Sequence, residues 1–174
     1  MALVTENGTG QTTAESLISV AAADTYFSNR GNATWAALTT AQKESALRKA
    51  SDYMLATYKD MWAGNPMTQT QALDWPRDMV PKRTAMTTTT SYWDNASVPT
   101  IVANAAAELA VRASADDLLA DQARTTKRET VGPITIEYDG GSSQTVRYPI
   151  IDGMLKQFFK GKNLGSYSME AVRA

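Results

Sequence analysis

Cysteine and histidine are both absent from the 174 residues. Lack of cysteine excludes a disulfide framework and thiol chemistry. Lack of histidine removes the commonest general base and metal ligand at neutral pH, so serine-histidine triads and zinc hydrolases drop out as well. No apolar run approaches the ~18 residues of a membrane-spanning helix. No lysine or arginine precedes Arg30, which denies the N-terminus the charged start of a secretory signal. The expectation is a soluble protein made in the cytoplasm, without a membrane partner. Charge of one sign is missing too: 17 basic residues face 18 acidic ones, leaving a formal net charge of −1. Such a surface has no general basic field to hold a nucleic-acid backbone.

The motifs of catalysis are equally sparse. Gly8-Thr9-Gly10 lacks the following lysine and the preceding strand of a phosphate-binding loop. Asp116 and Asp117 form the densest acidic pair, but they fall near a predicted helix end and read as solvated. No catalytic, cofactor-binding or metal-binding residue is expected, and the chain does not read as an enzyme. Short basic patches occur at Arg124–Glu129 and Lys156–Lys162, each too small to make DNA the leading partner.

What is present suits one globular domain. Hydrophobic residues make up 43% and charged residues 20%, and a chain of this length buries roughly 70% of its unfolded surface. Residues 1–16, rich in Thr, Gly, Asn and Ser, predict an extended and weakly structured lead. A first helix follows Ser19 as cap, with Val20, Ala23 and Phe27 at helical spacing and Gly31 as its stop. A second starts at Thr39, whose spacing to Gln42 is that of a capping box. Its apolar positions Ala46, Leu47, Ala50, Tyr53, Met54, Tyr58 and Met61 recur every three or four residues. A third begins near Ser97, with Pro99 in its first turn, and its alanines invite close helix packing through Ile101, Val102, Ala105, Ala106, Leu109 and Ala113. Glu108 and Arg112 read as an exposed i,i+4 pair.

Between the second and third helices, Gln71–Pro81 (QALDWPRDMVP) packs a tryptophan, two prolines and an Arg-Asp pair into eleven residues. Prolines 66, 76 and 81 each remove a backbone donor, so a crossover loop is predicted, clamped by Trp75, Pro76 and Arg77. Trp75 would pack on the second-helix stripe, and Arg77 would bond carbonyls or a neighbouring acid. After Thr130 the period changes to two. Ile134, Ile136 and Tyr138 alternate with polar residues, as do Val146 and Tyr148, and Asp-Gly-Gly-Ser-Ser between them predicts a β-hairpin at about 131–149. A lone hairpin is marginal in water and needs a surface to lean on. A last helix over Ile150–Phe159 precedes a Gly- and Ser-containing tail, 160–174, readable either as a core-docked helix with a frayed end or as a partner anchor through Phe158, Phe159, Lys160, Lys162 and Tyr167. The fold class is mainly α: a small bundle of three long or medium helices plus a C-terminal helix, spanning 17–159, with one β-hairpin.

The order ENGTG, SLISVAAADTYFSNRG, Trp35, LTTAQKESALRKASDYM, MWAGNPMTQTQALDWPR, VPTIVANAAAELA and VGPITIEYD resembles head-tail connector (adaptor) proteins of tailed bacteriophages, some of which carry a DnaT-like label. The likeness spans nearly the whole chain. It implies a non-catalytic virion protein at the head-tail interface, set as a ring of about twelve copies under the portal protein. Such a ring extends the channel, meets neck, stopper or tail proteins and touches packaged double-stranded DNA transiently, without a cofactor. The alternative is a single-stranded DNA-binding module of phage replication, which would align cations with stacking aromatics. Here such pairs are scattered: Arg30 with Trp35, Arg77 with Trp75 and Arg147 with Tyr148.

Overall fold

The computed structural model describes residues 2–82, 91–119, 128–131, 134–137 and 147–161. Helix α1, Val20–Ser28, starts where the Ser19 hydroxyl accepts from the Ala22 amide at 3.2 Å, and it stops before Gly31, whose φ of 62° is the left-handed turn. A four-residue helix α2, Ala33–Ala36, capped by Asn32, lies in a stretch where no helix was expected. It buries Trp35 against Phe27. The long helix α3, Thr40–Tyr58, opens with the Thr39–Gln42 capping box and buries Ala46, Leu47, Ala50, Tyr53, Met54 and Tyr58. A cap of this kind stabilises by about 1 kcal/mol.

Helix α4, Thr100–Ala115, has Pro99 itself at the N-cap, because the Ser97 hydroxyl donates instead to Asp94. Its alanines 105, 106, 107, 110 and 113 are buried, and the small side chains let α3 lie close along most of its length. Ile101, expected in that contact, is only half-buried. Helix α5, Pro149–Leu155, continues as a 3-10 turn through Phe158 and packs on α4 through buried Ile151 and Leu155. The Tyr58 hydroxyl donates to Asp152 of α5 at 2.8 Å, tying α3 to the C-terminal helix. Burial, with the Asp152 hydrogen bond second, raises the Tyr58 phenol far above its ordinary range, so it acts as a donor.

Two expectations are corrected. Residues 2–16 are an ordered clasp, with Thr5 and Ser16 bridged in parallel and Ala14, Ser16, Leu17 and Ile18 buried. Polar composition concealed the reason. The buried Glu6 carboxylate accepts from the backbone amides of Gly8, Thr9, Gly10 and Gln11 at 2.9–3.0 Å, so the chain wraps around its own anion. The hairpin also has another register: β6, Ile134–Glu137, pairs antiparallel with β5, Arg128–Val131, which precedes it. Only two residues separate those strands, a shorter closure than the one through Asp-Gly-Gly-Ser-Ser. Among the described residues there are three two-stranded ribbons, not one. The other two, β1 (Asn65–Pro66) with β2 (Arg77–Asp78) and β3 (Pro81–Lys82) with β4 (Ser91–Tyr92), are built into the crossover between α3 and α4.

Candidate nucleic-acid interface

The stiff corner at Gln71–Pro81 is built inward. Arg77 is 5% exposed, and its guanidinium donates from Nε to Ala63 O at 2.9 Å, from Nη2 to Gly64 O at 2.9 Å and from Nη1 to Asp74 O at 3.2 Å. Gln71 bonds Thr68, Leu73 and Pro76 through its amide. Trp75, joined to Pro76 by a cis peptide bond, is fully buried. It lies on Trp62 and Phe158, one layer beyond the α3 stripe on which it was expected to rest. Burial pushes the Asp74 carboxyl up, although the Trp62 indole N–H, donating at 2.9 Å, and the Arg77 charge both oppose that shift. Burial likewise pushes the Arg77 guanidinium down, with Asp74 opposing. All three nitrogens of the Arg77 guanidinium bond backbone, so this corner is a frame and Arg77 is no free cation.

That frame launches an arm. Strand β3 leaves directly from it, and β4 returns with Pro81 opposite Tyr92 and Lys82 opposite Ser91. The Trp93 amide closes the base of the arm by donating to Val80 O at 2.9 Å. Successive strand residues face opposite sides, so Tyr92 and Trp93 part company. Trp93 turns to the body and packs on Phe158 at 5.1 Å between centroids, while Tyr92 stands 47% exposed. Lys82, also exposed, holds its ammonium 5.1 Å from the centre of the Trp93 ring. A cation over an aromatic face with a second aromatic ring open to solvent is the chemistry that holds an unpaired strand: charge for phosphate, π-faces for bases. Asp94, beside the arm, is engaged in its own turn with the Ser97 hydroxyl at 2.7 Å and the Ala96 amide at 3.2 Å, and Asp78 at its foot accepts from the Met79 amide and from Asn95. The Ser97 and Ala96 bonds, and then the Lys82 charge, hold the Asp94 carboxyl below the usual range.

The other sequence candidates are distributed differently. Phe158 and Phe159 are 0% and 2% exposed, packed against Trp75, Trp93, Tyr58 and Trp62. They are core residues and cannot anchor a partner from the surface. Lys160 is exposed and donates to Asp60 O; Lys162 and Tyr167 lie outside the described residues. Ile134 and Ile136 are on β6, paired with Val131 and Glu129. Tyr138 and Val146 lie outside the described residues, and Tyr148 is the N-cap residue of α5, not a strand residue. The three scattered cation-aromatic pairs of the sequence do not form a stacking surface. Trp35 and Trp75 are buried, Arg30 lies over Tyr26, and the cation recorded over Tyr148 is Arg112. Lys82 and Trp93 were missed because eleven positions separate them; the only signal was the Tyr92-Trp93 doublet after a threonine run.

No curated protein and no solved structure matches the chain. A family model described as "Putative DnaT-like ssDNA binding protein" matches residues 1–174. This match overturns the head-tail connector reading. With it go the virion-structural role and the portal protein, ring copies and neck, stopper or tail proteins as partners, since the family is named for single-stranded DNA. The alternative of a single-stranded DNA-binding module, placed second because its cation-aromatic pairs are scattered along the sequence, was the better guide: over its whole length, the chain belongs to the DnaT-like single-stranded DNA-binding protein family.

Proposed function

We propose that this chain is a non-catalytic module that binds single-stranded DNA through the β3–β4 arm. The observation that carries the reading is the exposed Tyr92 ring on the same arm as the Lys82 ammonium over Trp93. Family membership supports it by naming the ligand class. Net charge of −1 places the attraction in local cations and stacking, not in a long-range field, so the affinity is modest. A Kd roughly between 1 and 100 μM at physiological salt, tighter at low salt, is the expectation for this kind of contact. Stacking needs unpaired bases, so single strands bind better than duplex of equal length.

Fluorescence anisotropy of a labelled oligothymidylate, titrated with the protein at two salt concentrations, tests the reading against the matching duplex. The expected result is saturable single-strand binding that weakens with salt. Equal binding of duplex, or no anisotropy change at low salt, removes the proposal.

A further inference from the structure

An open groove of about 580 Å³ lies between α1 and α4. Its lining joins apolar Ile18, Val98 and Ala103 to Tyr26, Arg30 and Asn104. The Arg30 guanidinium lies over the Tyr26 ring, its central carbon 3.6 Å from the ring centre, pinned by a 3.0 Å bond from Nη1 to Tyr26 O. The Tyr26 hydroxyl is already committed, donating to Glu108 at 3.2 Å, and Glu108 in turn pairs with Arg112. Arg30 itself has no ion-pair partner among the described residues, and its outer face is open. Asn104 sits half-buried in the first half of α4, and its amide has no hydrogen-bond partner among the described residues.

A planar cation held rigidly by an aromatic ring, an apolar lining and an unpaired amide are three parts of a site for one flat, polar-edged ring. We infer that this groove takes a single unstacked base of the bound strand, as a second station beyond the β3–β4 arm; the inference rests on the single-strand reading above. The base stacks on the Arg30 plane, the Asn104 amide bonds its Watson–Crick edge, and Arg30 faces the flanking phosphate. Continuity favours this occupant. Tyr92 and Val98 are six residues apart, so their Cα atoms are at most about 20 Å apart, and the segment between them leads from the arm to the rim of the groove.

The test compares wild type, Arg30→Gln and Asn104→Leu by oligonucleotide anisotropy, with thermal melting to verify that each variant folds. Leucine fits the apolar lining and keeps the helix, so Asn104→Leu serves where the arginine change alters α1. Each substitution is expected to weaken binding about tenfold. Only Arg30→Gln should also make binding less sensitive to salt, since only it removes a charge. An oligothymidylate with scattered abasic sites should lose more affinity for wild type than for Asn104→Leu, whose remaining loss is that of the Tyr92 stack on the arm. If both variants bind as wild type while Lys82→Ala binds more weakly, the groove is not a base site and the arm reading stands. If wild type binds no single strand at all, both are overturned.

Discussion

Trp62 and Trp75 meet edge to face, ring centroids 5.6 Å apart and planes at 86°, yet only one of the two indole N–H groups is satisfied. Trp62 donates to Asp74; the Trp75 Nε1 is buried with no partner among the described residues. Trp75→Ala should destabilise the protein by about 3–5 kcal/mol by opening a cavity between Trp62 and Phe158. Trp75→Phe keeps most of the ring and removes a donor whose unsatisfied burial costs about 1–3 kcal/mol. Its loss should therefore be clearly smaller. Urea unfolding of the two variants decides this, and equal losses would show that the ring contacts are not the source.

Asp74 supplies a pH dependence of definite sign. Its folded-state carboxyl is raised above the ordinary value of 3.8 by burial, so the folded protein holds a proton that the unfolded chain has released. This contribution to stability is complete below pH 3.8, is lost as pH rises through the folded value, and is constant above it. Asp74→Asn keeps an acceptor for the Trp62 indole and cannot titrate. Over that window wild type should lose stability relative to the variant as pH rises. Parallel pH profiles in thermal melting would contradict the assignment.

The N-terminal clasp should be as sensitive as a core position. A β-carbon at Gly8, where φ is 98°, would fall 2.0 Å from Ala96 O. Gly8→Ala must therefore move the clasp off the start of α4. Glu6→Gln replaces one of two carboxylate oxygens that together accept four amides with a donor group. Each change should cost about 2–3 kcal/mol, measured by chemical denaturation; a loss near zero for Glu6→Gln would show that the loop holds its shape without the anion.

On the arm, charge and stacking separate by their response to salt. Lys82→Ala removes one phosphate contact, so the slope of log Kd against log salt should fall by about 1. Tyr92→Ala should weaken binding by about 1–3 kcal/mol at every salt concentration, with the slope unchanged. Anisotropy titrations at several ionic strengths distinguish the two. A Tyr92→Ala protein that binds as wild type would remove the ring from the interface.

The sequence by itself determined the helical frame. Ser19, the Thr39–Gln42 box and the alternating apolar positions of α3 are local signals, set by the 3.6-residue period and by backbone donors that need partners within a turn. Tertiary structure alone decided where the cations and aromatic rings meet. Lys82 reaches Trp93 by closure of a ribbon, and Arg30 chooses Tyr26, one helical turn earlier, over Trp35, which α2 buries. Phe158 and Phe159 carry the composition of an interface anchor, but Trp62 and Trp75 cover them. Glu6 gave no sign of its role, because a carboxylate wrapped by four backbone amides looks in sequence like any polar loop. Burial and long-range pairing depend on what the rest of the chain brings alongside, and that is absent from any local stretch of residues.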